Sequence, residues 1–250
     1  MGLKSKAEAD LIEAIRLAHK ESFKTYGSPR VYSALIQQGF RCGHNRIAHL
    51  MRENGIISQR QRRFKKPVNT AKSRGLAINL INQRFHVTRP NRVWASDITL
   101  IWTGSGWLHL AIVMDLYSRK IIGWAVQAHM KEVLVIEALK MALYNRRPKT
   151  ELIHHSDQGS QYAGDEFRGI LKASHILPSM SSKGNCYDNA VVESFFKTLK
   201  AELCKEVRFK TVDEGRSKIF EYIEVFYNQK RLHSTLGYVS PAEYERINLA

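Results

Sequence analysis

Apolar side chains at Ala7, Leu11, Ile15 and Ala18 recur at the spacing of one helix face and predict a first amphipathic helix within residues 6–24. The segment SPRVYSALIQQGF puts Ser28 where an N-cap belongs, Pro29 at the first helical position and Gly39 at the stop, which predicts a short second helix. A turn through FRCG leads into HNRIAHLMRENGI, where Ile47, Leu50 and Met51 share a stripe and Gly55 ends a third helix. From residue 92 the period changes. RVWASDITLIWT and GWLHLAIVMDL, joined through GSG, predict a hairpin, and SRKIIGWAVQA supplies a third antiparallel strand. Residues 131–144 return to helical spacing; ELIHHSD then reads as a fourth strand, GDEFRGILKASH as a helix and HILPSM as a fifth short strand. In SSKGNCYDNAVVESFFKTLKAEL, Asp188 or Asn189 can cap a helix whose core stripe is Val192, Phe195, Phe196, Leu199 and Leu203. Hairpins followed by alternating helix and strand predict an α/β unit, a mixed sheet with helices on its faces.

Composition sharpens this picture. With 250 residues, 44% of them hydrophobic, the chain can bury one sizeable core and carry a smaller second domain. Its 39 basic and 23 acidic residues leave a net charge of +16, which calls for a polyanionic partner, nucleic acid first. Three helices with a tight turn between the last two match a helix-turn-helix, and the outer face of the third carries Asn45, Arg46, His49 and Arg52, able to meet phosphates or base edges. A plain helical bundle with a solvated basic face has the same pattern. Residues 58–75 hold Arg62, Arg63 and five further basic residues without an acid, a tether able to follow a phosphate backbone. The expected division is therefore a helical DNA-binding domain over 1–57, a basic linker over 58–88 and a catalytic core over 89–250. Cys42, Cys186 and Cys204 form no paired framework and no C-x-x-C, which points to a reduced, cytoplasmic setting without structural zinc. The longest apolar runs, such as LAIVMDL, are far too short to span a membrane.

Three acids stand out against that background. Asp97 lies in the middle of an apolar strand, where an ionised carboxylate without a partner costs several kcal/mol. Asp157 closes the fourth strand ahead of QGSQY, where open α/β sheets place ligands, although Asp before such a turn is also ordinary turn chemistry. Glu193 shares a helix with Lys197 and Lys200, a pattern that an ordinary solvated ion pair also produces. Asp115 is explained by a hairpin turn, His155 is placed as a supporting or phosphate contact, and Lys183 and Asn185 as substrate contacts. Tyr162 and Tyr187 lack the Arg and His cluster of a tyrosine recombinase.

Taken together, WASDIT, HSDQGSQY and DNAVVESFFKTLK resemble the DDE motifs of bacterial insertion-sequence transposases, relatives of retroviral integrases. Between Asp157 and Glu193 lie 35 residues, the family's spacing, and Lys200 is the basic residue expected seven positions after the glutamate. The amino-terminal helices and the ending YNQKRLHSTLGYVSPAEY extend the likeness to the downstream-reading-frame proteins of such elements. The resemblance implies an RNase H-like core with a five-stranded mixed sheet, in which Asp97, Asp157 and Glu193 are the catalytic, metal-holding residues. It also implies two Mg²⁺ ions, with Mn²⁺ as a substitute, cleavage at the element's terminal inverted repeats and joining of 3′-hydroxyls to target DNA. A homo-oligomer on DNA, an upstream-frame partner or fusion, and a bacterial cytoplasmic protein associated with the nucleoid are further implications. No His-His-Cys-Cys zinc module precedes the core, so the helix-turn-helix takes its place. A structure-specific nuclease of the same fold and an inactive DNA-binding regulator remain as alternatives.

Overall fold

A computed structural model describes residues 3–58, 77–149, 151–181, 189–204 and 209–249. Three helices open the chain: α1 (Leu3–Glu21), α2 (Ser28–Gln37) and α3 (His44–Glu53). The predicted stripe is their core, with Leu11, Ile15, Val31, Leu35, Ile47, Leu50 and Met51 buried, whereas Ala7 stays exposed. The cap of α2 is Gly27 and not Ser28, which lies one residue inside the helix. Gly39 and Gly55 take the left-handed φ that only glycine adopts without strain, and they end α2 and α3 as the sequence suggested.

The sheet follows. β1 (Val93–Thr103), β2 (Gly106–Asp115) and β3 (Ile121–Gln127) are consecutive antiparallel strands. After α4 (Glu132–Arg146), β4 (Leu152–Ser156) returns beside β1 in parallel, and after α5 (Asp165–Ala173), β5 (Ile176–Met180) adds in parallel at the edge. The order β3-β2-β1-β4-β5 makes the strand of Asp97 the central one, as expected of an RNase H-like sheet. α4 and α5 cover one face through Trp94, Ala111, Leu139 and Phe167. Gly123 lets α4 approach β3: a Cβ there would stand 2.2 Å from the Ala138 carbonyl oxygen. On the other face lie α6 (Ala190–Glu202) and α7 (Val212–Phe220), whose Val192, Phe195, Leu199 and Ile219 pack on Ala95, Ile101 and Ile112. Burial of β1 is not two-sided throughout, since Leu100 and Trp102 at its outer end are exposed.

Beyond α7 a π-helical turn (Glu221–Tyr227), a 3₁₀ turn (Ser234–Leu236) and α8 (Pro241–Asn248) return across the molecule. Asn228 pins this segment to β3 by accepting from the Ile121 N–H at 3.0 Å and donating to its carbonyl at 2.9 Å. The amino-terminal helices are docked on the same segment. Leu232 joins their core, and the Leu232 N–H donates to the Tyr26 hydroxyl at 2.6 Å. Beneath that contact, Glu202 accepts Arg231 Nη2 at 2.8 Å, the Tyr222 hydroxyl at 2.7 Å and the Thr25 hydroxyl at 3.2 Å. Within the stretch expected as linker over 58–88, Ile81 is buried in the core and the Leu80 N–H donates to the Ser179 hydroxyl at 2.9 Å. Arg62 and Arg63 fall outside the described residues.

Candidate active site

Each acid is set in place by backbone structure. Asp97 stands opposite Ile112 in the β1–β2 ladder, and its Oδ1 accepts the Ile98 N–H at 2.8 Å. Asp157 directly follows β4, whose parallel register beside β1 sets Ala95 next to His155 and so carries Asp157 to the same end and face of the sheet. Its Oδ1 accepts the Gly159 N–H at 3.0 Å, and a Cβ on Gly159 would come within 2.9 Å of that oxygen. Glu193 sits in the first turn of α6. Asn189, the residue before this helix, makes no capping bond and instead donates its Nδ2 to the Ser96 carbonyl at 3.2 Å, tying the start of α6 to the strand of Asp97.

Electrostatics link the four charged groups. Burial pushes the Asp97 carboxyl up to about 7, the Asp157 and Glu193 charges push the same way, and the Ile98 N–H and Lys200 pull against them. Burial also raises Asp157 and the Gly159 N–H lowers it, although the residue reaches solvent. Lys200, two turns along α6 from Glu193, is lowered by burial and held up in part by Cys204 and Asp97. All the donors are hard carboxylate oxygens, and Lys200 only partly offsets the charge of Asp97, so the residues suit Mg²⁺. Among the described residues no three acidic, His or Cys side chains already stand close enough to form one ligand cluster.

Comparison with known proteins shows the family. Residues 87–186 and 193–249 each match a family described as an integrase core domain, and residues 6–64 match an HTH-like domain. The transposase for insertion sequence element IS904 of Lactococcus lactis is 39% identical over 98% of this chain and 97% of its own length. The chain belongs to the insertion-sequence transposase family. The transposase is also 40% identical to the transposase InsF for insertion sequence IS3A of Escherichia coli (93% of this chain, 81% of that one). An IS600 uncharacterized 31 kDa protein of Shigella sonnei is 44% identical over 92% of this chain and 85% of its length. The simian T-cell lymphotropic virus intasome shares its fold, with a TM-score of 0.54 at 15% identity over 85% of this chain and 69% of that one. The transposase is accordingly a polynucleotidyl transferase of the DDE class with an RNase H-like core.

The remaining predicted residues fare differently. Asn45, Arg46, His49 and Arg52 are all exposed on α3, as expected, but Arg46 pairs with Glu8 at 3.1 Å and His49 with Glu53 at 3.2 Å. Lys197 is exposed and lies 3.6 Å from Glu193. His155 is fully buried, with Nδ1 2.9 Å from the Ser179 hydroxyl and Nε2 3.3 Å from that of Ser181, contacts that join β4 to β5 and fit the supporting one of its two expected roles. Asp115 is buried too, accepting the N–H groups of Asn91 at 2.9 Å and Tyr117 at 3.0 Å. Tyr162 is only 2% exposed, which excludes it as a nucleophile. Lys183, Asn185 and Tyr187 lie outside the described residues. Sequence reasoning missed Asn189 as the link to Ser96; its only signal was a second helix-capping residue beside Asp188. No described helix is long and apolar enough to cross a membrane.

Proposed function

We propose that Asp97, Asp157 and Glu193 hold two Mg²⁺ ions, replaceable by Mn²⁺, and that the transposase cuts DNA at its element's terminal inverted repeats and joins the freed 3′-hydroxyls to target DNA. The observation that carries this reading is one carboxyl, Asp97, held on the central strand with its charge opposed by burial, by Asp157 and by Glu193. Bound there, the ions supply stabilisation for charge that builds on the attacking, leaving and non-bridging phosphate oxygens. The chain's own part is positioning. The sheet fixes Asp97, the Gly159 N–H turns Asp157, and Asn189 holds the helix of Glu193 against β1. Lys200, on the side of α6 that acts on Asp97, offers a charge to the substrate backbone, and Lys197 can exchange its exposed partner Glu193 for a phosphate.

DNA is the substrate and the partner in this reading. α3 reads the element ends through Asn45, Arg46, His49 and Arg52, while Arg62, Arg63, Lys183 and Asn185 contact the backbone, and two or more copies pair the ends in the bacterial cytoplasm at the nucleoid. An upstream-frame partner or fusion extends the working enzyme. Single Ala replacements of Asp97, Asp157 and Glu193 are expected to abolish Mg²⁺-dependent cleavage and the joining of pre-cut ends while DNA binding persists. Full activity in any one of them refutes the assignment, and cleavage by the wild type without joining makes it a nuclease.

A further inference from the structure

The ending RLHSTLGY has no part in the carboxylate site, yet it forms one wall of a recess of about 220 Å³ against α6. Ser194, the residue after Glu193, lines the recess together with Arg119 from the turn between β2 and β3 and with Arg231, His233 and Thr235. At about 30 Å³ per water, that is room for about seven waters, enough for a phosphate and part of its sugar. Phe195 and Tyr227 add an apolar wall.

The charges here do not balance. Three guanidinium groups, Arg30, Arg119 and Arg231, act together on His233, and burial with these charges pushes that ring down to about 3. Glu202 is bonded to Arg231, with Nε at 2.9 Å and Nη2 at 2.8 Å, so that one carboxylate serves both Arg231 and, through space, Arg30. Asp115 acts on Arg119, but its oxygens are already taken by the Asn91 and Tyr117 amides. Arg119 spends Nη2 on the Phe85 carbonyl at 3.0 Å. Its buried Nη1, like the buried Nε of Arg30, has no hydrogen-bond partner among the described residues. Buried N–H donors left unpaired on a cation are costly, and a phosphate is the anion whose oxygens suit a guanidinium fork.

We propose that this recess is a phosphate subsite for the reacting DNA strand, with Arg119 as its principal donor and His233, Thr235 and Ser194 around it. The inference rests on the transposase reading, because it is the neighbouring Glu193 that makes a DNA strand, and not a free metabolite, the occupant. The subsite grips one backbone phosphate beside the one that reacts.

The test is a binding titration with a duplex of the element's terminal sequence, taken from the DNA flanking the gene, at several salt concentrations and without divalent metal. Arg119→Gln is expected to make the log–log salt slope shallower by about 1 and to weaken binding about fivefold at moderate salt, while Arg119→Lys keeps most of the slope. Thr235→Glu, at an exposed position, puts a like charge at the mouth without threatening the fold and is expected to weaken binding as well. A methylphosphonate scan of the end duplex should reveal one position whose neutralisation weakens the wild type and leaves Arg119→Gln unaffected. Unchanged affinity and slope in Thr235→Glu overturn the proposal, whether or not Arg119→Gln folds. Inorganic phosphate that raises the melting temperature of the wild type and not of the variants, with DNA binding unaltered, overturns the DNA assignment in favour of a free anion. Because binding is read without metal, a wild type that binds the end but never cuts it refutes the proposed function and leaves the subsite standing.

Discussion

Replacing Asp97 by Asn is expected to destroy catalysis and yet stabilise the metal-free protein. In the unfolded chain the carboxyl ionises near the ordinary 3.8, whereas in the folded chain it keeps its proton until about 7. The folded state therefore binds the extra proton between those values. This group's penalty is absent below about pH 4, grows as pH rises to about 7, and is complete above it. At about 1.4 kcal/mol per tenfold change, that interval amounts to about 4 kcal/mol at most, and the half-buried position lets solvent screening reduce it to about 2 kcal/mol. An Asn side-chain oxygen can still accept the Ile98 N–H that Oδ1 accepts now, so the exchange sacrifices no hydrogen bond. For a chain of this size, 2 kcal/mol corresponds to a rise of about 4–8 °C in melting temperature. Thermal unfolding in chelator should show that rise at about pH 8, shrinking to nothing near pH 4. Added Mg²⁺ should then raise the wild type at about pH 8 and leave Asp97→Asn unmoved, since protons and metal compete for the same carboxyl. A variant no more stable than the wild type at about pH 8, or a gap that does not close on acidification, refutes the electrostatic account of the site.

Two other perturbations separate stability from recognition. Arg231→Met strands Glu202 in the interior, where it is 2% exposed, and should cost about 3–5 kcal/mol in chemical denaturation; a loss under about 1 kcal/mol would show that the latch between the amino-terminal helices and α6 is not formed. Arg46→Ala breaks only the exposed pair with Glu8, so stability should change by less than about 1 kcal/mol while preference for end over scrambled duplex falls by about 1–3 kcal/mol; equal weakening on both duplexes would mean that α3 does not read sequence.

Local chemistry carried much of this protein. Period and turn residues determined the three amino-terminal helices, the hairpin and the alternation after it, because an amphipathic stripe or a two-residue period is written in the residues themselves. Asp97 was legible for the same reason, since a carboxylate inside an apolar strand is an anomaly that needs no coordinates to notice, whereas Asp157 and Glu193 stood out only through the resemblance to the transposase motifs. What residue patterns alone could not decide was which elements meet; only the family resemblance implied it. That β4 runs parallel beside β1, bringing Asp157 to the side of Asp97, follows from packing α4 and α5 on one face, and no local pattern encodes strand order. His155 looked available two residues before Asp157 and on the same side of β4, but the hydroxyls of Ser179 and Ser181 meet its two ring nitrogens in the interior, contacts that no local pattern shows. The docking of the amino-terminal helices was equally invisible, because Thr25, Tyr26, Glu202, Arg231 and Leu232 become neighbours only when nearly the whole chain has folded back on itself. A tether of basic residues suggested separable parts; a buried ion pair and a shared apolar core joined them, since burying Leu232 and pairing Glu202 are contacts of the whole fold and of no single segment.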